Sequence, residues 1–343
     1  MTQHILTPLT DRPIPQDLRE IRLFNFVRNE RARIVYFLDY HRKLGVNRFL
    51  MVDDHSTDGT REFLLAQPDV HVFTANTSYK EAKSGIGWTK ALCDQYGVNQ
   101  WCLLLDADEL LVYPACETTS LRTLCDRMEQ EGSEALYTFM LDMYGPGQIE
   151  EAVCAPGQSF FEICPFFDRS YHFVKRIHLR GAAPFPPLEV LGGPRARCFY
   201  PPQGEHSYLR RLVIHLAMQI THILRTKYKL PLAANKSKAP ALFKVPLIRW
   251  QTAYAYTAST HELNPVRLSA TTGVLAHFKF FADFHARAQD AVARKAFAGD
   301  SAEYQRYLDG VTKGGVNQFM YAGSTRYRDS QQLVELGLMK VGQ

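Results

Sequence analysis

The chain has 343 residues, 46% of them hydrophobic and 22% charged, with a formal net charge of +5. The hydrophobic share supports a packed core, and the length holds one large domain or two small ones. The charge surplus suits an anionic ligand. No basic stripe with interleaved aromatics occurs, so nucleic acid is excluded as an expected partner.

The first sixteen residues are polar and contain prolines, without the apolar core of a signal peptide. Residues 1–20 read as an N-terminal extension. Residues 21–27 form an apolar strand candidate. Residues 29–44 have helical spacing, with Ile34, Phe37, Leu38 and His41 on one side and Gly45 as the stop. A strand at 48–52 ends in Asp53-Asp54-His55-Ser56-Thr57-Asp58-Gly59. A short helix at 60–67 closes at Pro68, a strand follows at 70–73, and 78–96 reads as a helix closed by Gly97. The run 101–105 is a fully buried strand candidate. Beyond it, 121–131 reads as a helix and 135–141 as a strand. Prolines and glycines then mark loops, and 209–228 and 284–298 read as helices. Alternating strands and helices imply right-handed crossovers and a parallel sheet.

Three polar clusters follow successive strands: Arg28-Asn29-Glu30, Asp53-Asp54 and Asp106/Asp108. Ligands of such sheets bind beyond the carboxyl ends of the strands. In an extended segment residues i and i+2 point the same way, which would set Asp106 and Asp108 side by side. Paired carboxylates repel unless a cation or a proton intervenes. A divalent ion open to a phosphate is one explanation; a strand ending in a polar turn is the other. Glu30 would bind a nucleoside and Arg28 face a phosphate, unless Asn29 and Glu30 only cap the helix. Asp58 reads as a carboxylate facing a helix dipole. A calcium loop starting at Asp54 is rejected, because Leu65 stands where the bidentate glutamate is needed.

These motifs, in this order, resemble the glycosyltransferase A fold, and specifically glycosyltransferase family 2. The residues that carry the likeness are Arg28-Asn29-Glu30, Val52-Asp53-Asp54-His55-Ser56-Thr57-Asp58-Gly59-Thr60 and Leu105-Asp106-Ala107-Asp108-Glu109. Glu109-Leu110-Leu111-Val112 looks like the bacterial branch with an Asp-Ala-Asp-Glu motif. Gly192-Gly193-Pro194-Arg195-Ala196-Arg197 and Leu275-Ala276-His277-Phe278-Lys279-Phe280 look like later signatures of that branch.

The resemblance implies an α/β fold with a Rossmann-like, mostly parallel sheet flanked by helices. Residues 21–145 would bind the nucleotide-sugar. Residues 146–343, rich in loops and helices, would bind the acceptor within the same catalytic domain. The implied activity is inverting transfer from a nucleotide-diphosphate sugar, a UDP-sugar first, dependent on Mn2+ or Mg2+. The implied acceptor is a saccharide or lipid-linked saccharide of a bacterial envelope polysaccharide, and the implied place is cytoplasmic, at the inner face of the membrane. Carried over residue by residue, Asp108 contacts the metal and Asp106 the ribose or the metal. Asp53 accepts from a uracil-type N–H or a ribose hydroxyl, with Asp54 beside it. His277 completes the metal shell and Lys279 holds the diphosphate; without the likeness His277 reads as a satisfied core residue. The family's usual Glu-Asp base motif is not visible. Asp142, after the strand at 135–141, is the expected catalytic base, with Asp168, Glu189, Glu205 and Glu262 left open. Lys175, Arg195 and Arg197 are candidates for phosphate or acceptor contact. Lys83 and Lys90 read as surface lysines within reach of phosphate, and His261 is a rival to His277.

Seven cysteines without zinc-type spacing read as free thiols of a reducing cytosol. No stretch approaches the ~20 apolar residues of a membrane span. The segment 209–229, apolar with basic ends, reads either as a helix packed on the domain or as one touching an anionic membrane surface. Two further functions fit the same pattern. One is a nucleotidyltransferase making a nucleotide-sugar, which usually carries a glycine-rich loop after the first strand. The other is a non-catalytic nucleotide-binding scaffold.

Overall fold

The computed structural model describes residues 5–79, 81–82, 85–176, 185–200, 239–256, 261–294 and 298–342, with single positions between 213 and 228. In chain order the strands are β1 Leu6–Pro8, β2 Ile21–Val27, β3 Arg48–Asp53, β4 Val70–Ala75, β5 Trp101–Leu104 and β6 Glu109–Val112. They continue with β7 Ala135–Tyr144, β8 Phe166–Asp168, β9 Tyr171–Lys175, β10 Leu188–Gly192, β11 Phe243–Arg249, β12 Leu268–His277 and β13 Ser324–Arg326.

The main sheet has the order β1-β4-β3-β2-β5-β11-β7-β12-β6. The run β4-β3-β2-β5 and the pair β7-β12 are parallel. Strands β1, β11 and β6 run against them. Because β11 is antiparallel to both neighbours, β2, β3, β4, β5, β7 and β12 all point one way. This is the α/β architecture with a large, mostly parallel sheet and flanking helices that the sequence pattern implies.

Helices Arg31–Leu44, Thr60–Leu65 and Ile86–Tyr96 make the crossovers between β2, β3, β4 and β5. The first buries Ile34, Phe37, Leu38, His41 and Leu44 and stops at Gly45, whose φ of 103° is the left-handed turn that favours glycine. All ten residues of β7 are buried. Each large aliphatic side chain so removed from water contributes about 1.5–3 kcal/mol, and a strand buried on both faces sits mid-sheet.

One local expectation changes, and two further elements emerge. The helix expected over 78–96 forms at Ile86–Tyr96 only, starting after Gly85, whose φ is 79°. The Glu109–Val112 stretch is an edge strand, paired antiparallel with β12. The apolar segment around His277 is a sheet strand between β7 and β6. The segment 209–229 lies largely outside the described residues. Among the described residues no helix is long and apolar enough to cross a membrane. The described cysteines are free thiols.

Candidate functional site

β5 ends at Leu104 and the chain turns at once. The Glu109 N–H donates to the Asp106 carbonyl at 3.0 Å, and the Asp106 N–H donates back to Glu109 Oε2 at 2.9 Å. The turn is pinned from both sides. Asn25 Nδ2 donates to the Leu105 carbonyl at 2.7 Å, and the Phe278 N–H donates to the Asp108 carbonyl at 2.7 Å. Asp106 and Asp108 therefore do not share a face of an extended strand, as their spacing suggested. Each meets a different side-chain nitrogen. Lys244 Nζ, buried on β11, lies 3.5 Å from Asp106 Oδ2 and donates to Glu109 Oε2 at 2.7 Å. His277 Nε2 lies 3.7 Å from Asp108 Oδ2. Burial pushes the Asp108 carboxyl up, but His277, Arg287, Lys279 and Arg33 outweigh it and hold it at about 2.

The sheet register explains how His277 reaches this point. It is the last residue of β12, opposite Asp142 in the parallel pairing and opposite Glu109 in the antiparallel one. Its Nδ1 is 2.6 Å from Asp142 Oδ1. Burial raises the Asp142 carboxyl, but Arg195 and His277 more than offset this and keep it ionised. The Nδ1–H is then the donor. In the neutral ring Nε2 is left as a lone pair facing Asp108.

That geometry bears on Asp142, the expected catalytic base. Its side chain is fully buried, and its second oxygen accepts from Arg195 Nε at 2.7 Å. A base must reach an acceptor hydroxyl, and both Asp142 oxygens are occupied inside the protein. Asp142 orients His277.

A cavity of about 150 Å³ opens beside the turn, lined in part by Arg28, Glu30, Asp54, Asp106 and Asp108. Arg28 Nη1 donates to the Asp54 carbonyl at 2.8 Å. Glu30 is held by Arg287 Nη2 at 2.6 Å and Arg33 Nη1 at 3.4 Å. Asp53, expected to bind the nucleoside, has partners within the protein. Its buried carboxylate accepts from Arg61 Nε at 2.7 Å and from the Ser56 N–H at 3.3 Å, and it is not on the cavity wall. Lys279 is set back as well. Its Nζ lies 3.4 Å from the Tyr304 hydroxyl and 3.7 Å from Glu303, not on the cavity wall. Arg197 pairs with Asp168 at 3.0 Å, and His261 Nδ1 lies 2.9 Å from the Phe243 carbonyl. Lys90 pairs with Asp94 at 2.7 Å, whereas Lys83 lies outside the described residues.

Several wall residues escape sequence reasoning. Phe26, Tyr79 and Trp88 form an aromatic side, with ring centroids 5.6–6.2 Å apart. Arg287, Arg294 and Tyr304 close it from the C-terminal helices Phe284–Arg294 and Ala298–Thr312. The seven-residue spacing of the two arginines, two helical turns on one face, was the readable signal.

No family model matches the chain, and no curated protein matches its sequence. A UTP-bound UGPase from Acinetobacter baumannii is a similar solved structure, 8% identical with a TM-score of 0.26, covering 38% of this chain and 59% of that one. A second is 4-diphosphocytidyl-2C-methyl-D-erythritol synthase, 15% identical with a TM-score of 0.26, covering 39% and 66%. The chain thus spans less than two thirds of either. At such scores its reaction has to be argued from its own side chains.

Proposed function

We propose that this chain is a metal-assisted transferase acting on a nucleotide-diphosphate sugar, and that it passes the glycosyl group to a hydroxyl acceptor in the manner of glycosyltransferase family 2. The observation that carries the reading is the chain Asp142–His277–Asp108 beside an arginine-lined cavity. A carboxylate that takes the Nδ1–H of a histidine fixes its tautomer and raises its basicity as a ligand.

The donor set fits a divalent ion. Asp108 and His277 would hold it, with Asp106 adjacent, and the imidazole favours manganese over magnesium. Among the described residues no three His, Cys, Asp or Glu side chains form a ready-made cage. Phosphate oxygens of the donor would complete the set, as hard cations at such sites commonly require. When bound, the ion supplies charge neutralisation for the departing diphosphate. Arg28, Arg287 and Arg294 add fixed positive charge on the wall, and the Phe26–Tyr79–Trp88 side offers an apolar surface for a base or sugar ring. The acceptor class implied by the resemblance is a saccharide or lipid-linked saccharide.

Nucleotidyl transfer to a sugar phosphate is the second reading, because three arginines on one cavity also suit a triphosphate. One local feature weighs against it. A loop that cradles phosphates does so with free backbone N–H groups. Here the N–H groups of Asn29, Glu30 and Arg31 donate to Ser56 Oγ, Thr60 Oγ1 and Asp58 Oδ2, at 2.9–3.0 Å. The loop after β2 is satisfied internally.

Thermal shifts with UDP, other nucleoside diphosphates and UTP, with and without Mn2+, test the proposal on wild type and Asp108→Asn. A diphosphate at a hundred times its Kd should add about 2.7 kcal/mol, only with Mn2+ and only in wild type. A response confined to UTP would favour the second reading. Equal shifts in the variant would remove Asp108 from the site.

A further inference from the structure

A lysine is rarely buried unless it is paired, and Lys244 lies behind the acidic turn with its side chain 2% exposed. Strand β11 runs antiparallel to β5, with Leu247 opposite Leu103, so its first residues reach past the end of β5 to the turn. Pro246 falls in that stretch, and the pairing with β7 shifts register between Lys244 and Leu247. Such irregularities re-aim a side chain beside a site. Lys244 Nζ donates to Glu109 Oε2 at 2.7 Å and lies 3.5 Å from Asp106 Oδ2. Glu109 is fully buried, whereas Asp106 is 40% exposed and lines the cavity.

We propose, resting on the metal-assisted reading above, that Lys244 is a resident cation of the turn that competes with the divalent ion for Asp106, so that Asp108 and His277 are the protein ligands and Asp106 is not one. Lys244 is itself off the cavity wall and meets no substrate. It is a positioning residue that acts through Asp106, which is on the wall.

The two aspartates of the turn are unequal. Asp106 already has an ammonium within ion-pair distance. Asp108 instead faces His277 Nε2 at 3.7 Å, a lone pair in the neutral ring, and a cation between them satisfies both. Burial works against the Lys244 ammonium, but Asp106 and Glu109 more than offset this, so it stays charged. A fixed positive charge at the turn weakens its pull on free Mn2+. The oxygens of a bound diphosphate restore that pull, so Lys244 couples metal binding to the nucleotide.

The test is titration calorimetry with Mn2+, first without nucleotide and then with UDP. Lys244→Met should bind Mn2+ alone about 10-fold more tightly than wild type, the scale on which a neighbouring cation shifts a carboxylate. Lys244→Arg, which keeps the charge, should show no such gain. Adding Asp106→Asn to Lys244→Met should abolish the gain, a coupling that a merely structural lysine would not produce. In the otherwise wild-type chain, Asp108→Asn should lose more Mn2+ affinity than Asp106→Asn. Lys244→Met leaves Glu109 as a buried charge without its partner. Should that variant not fold, Lys244→Met/Glu109→Gln is read against Glu109→Gln, and the same gain is expected. Unchanged or weaker Mn2+ binding on loss of Lys244 would overturn the proposal. So would equal losses in Asp106→Asn and Asp108→Asn, which would make both aspartates ligands. Either result leaves the parent reading standing when wild type binds Mn2+ with UDP. A wild type that binds Mn2+ neither alone nor with UDP would overturn the parent reading, and the role of Lys244 with it.

Discussion

The side chains of the site divide by what surrounds them. Asp108 is partly exposed yet ringed by His277, Arg287, Lys279 and Arg33, so it is ionised across the useful pH range. Asp142 is buried, and its work is to aim an imidazole. Replacing Asp142 with Asn keeps its size and removes the charge that fixes the ring. Groups in this position typically affect metal affinity 10–100-fold. Asp142→Asn should therefore weaken Mn2+ binding by that order. His277→Ala should weaken it at least as much, without unfolding the protein. Titration calorimetry with Mn2+ alone reads both. A drop in thermal stability with unchanged Mn2+ affinity would return His277 to the core. The apolar neighbours of His277 pointed to a core residue, and only the family likeness pointed to a ligand. Its Asp142 partner is 135 residues away in sequence, beyond any local pattern.

At the level of elements, the helix Arg31–Leu44 shows how an apolar spacing can hide a titratable group. His41 occupies a core-facing position, donates Nδ1–H to the Phe37 carbonyl at 2.8 Å, and among the described residues has no partner for Nε2. Burial lowers its pKa from 6.5 to about 3, against a small opposing effect of that hydrogen bond. The folded state thus holds the ring neutral where the unfolded state takes up a proton. Stability is intact above pH 6.5 and declines as pH falls from there towards 3, with a slope of up to about 1.4 kcal/mol per pH unit. His41→Leu should flatten that decline. Urea midpoints at pH 7 and pH 5 should separate in wild type by more than in the variant, and equal separations would clear His41 of the effect. Most crossover elements were legible from periodicity alone. The strand β6 was not, because Glu109–Val112 follows a turn only four residues long, read as part of a motif. Nor was β11, whose Pro246 and register shift break the alternation of a regular strand.

Across the whole molecule, the N-terminal cluster is tied to the C-terminal helices by charge. Arg33 pairs with Asp283 through both guanidinium ends and reaches Glu30, while Arg287 grips Glu30 from the other side. Arg33 is 2% exposed and Glu30 8%, whereas Asp283 is 45% exposed. Removing the buried cation leaves a buried carboxylate short of a partner. Arg33→Met should cost about 3 kcal/mol. Asp283→Asn should cost less, since solvent screens an exposed partner. Chemical denaturation gives both values; similar costs would mean that the packing of Arg33 on Phe281, not the pairing, sets the loss.

The sequence by itself determined the α/β class, the crossover helices, the three polar clusters at strand ends and the apolar face around His277. Each follows from residue periodicity and turn chemistry, which act over a few neighbours. Only the tertiary structure decided which carboxylates are free. Asp53, Glu30 and Asp142 look alike in the chain, yet Arg61, Arg33, Arg287 and Arg195 occupy them across separations of up to 257 residues. The order β5-β11-β7-β12-β6 brings Lys244 to Asp106 and Glu109 and His277 to Asp108, both at the Asp106–Glu109 turn. A charge finds its partner through sheet register and helix docking, and neither is written in local spacing.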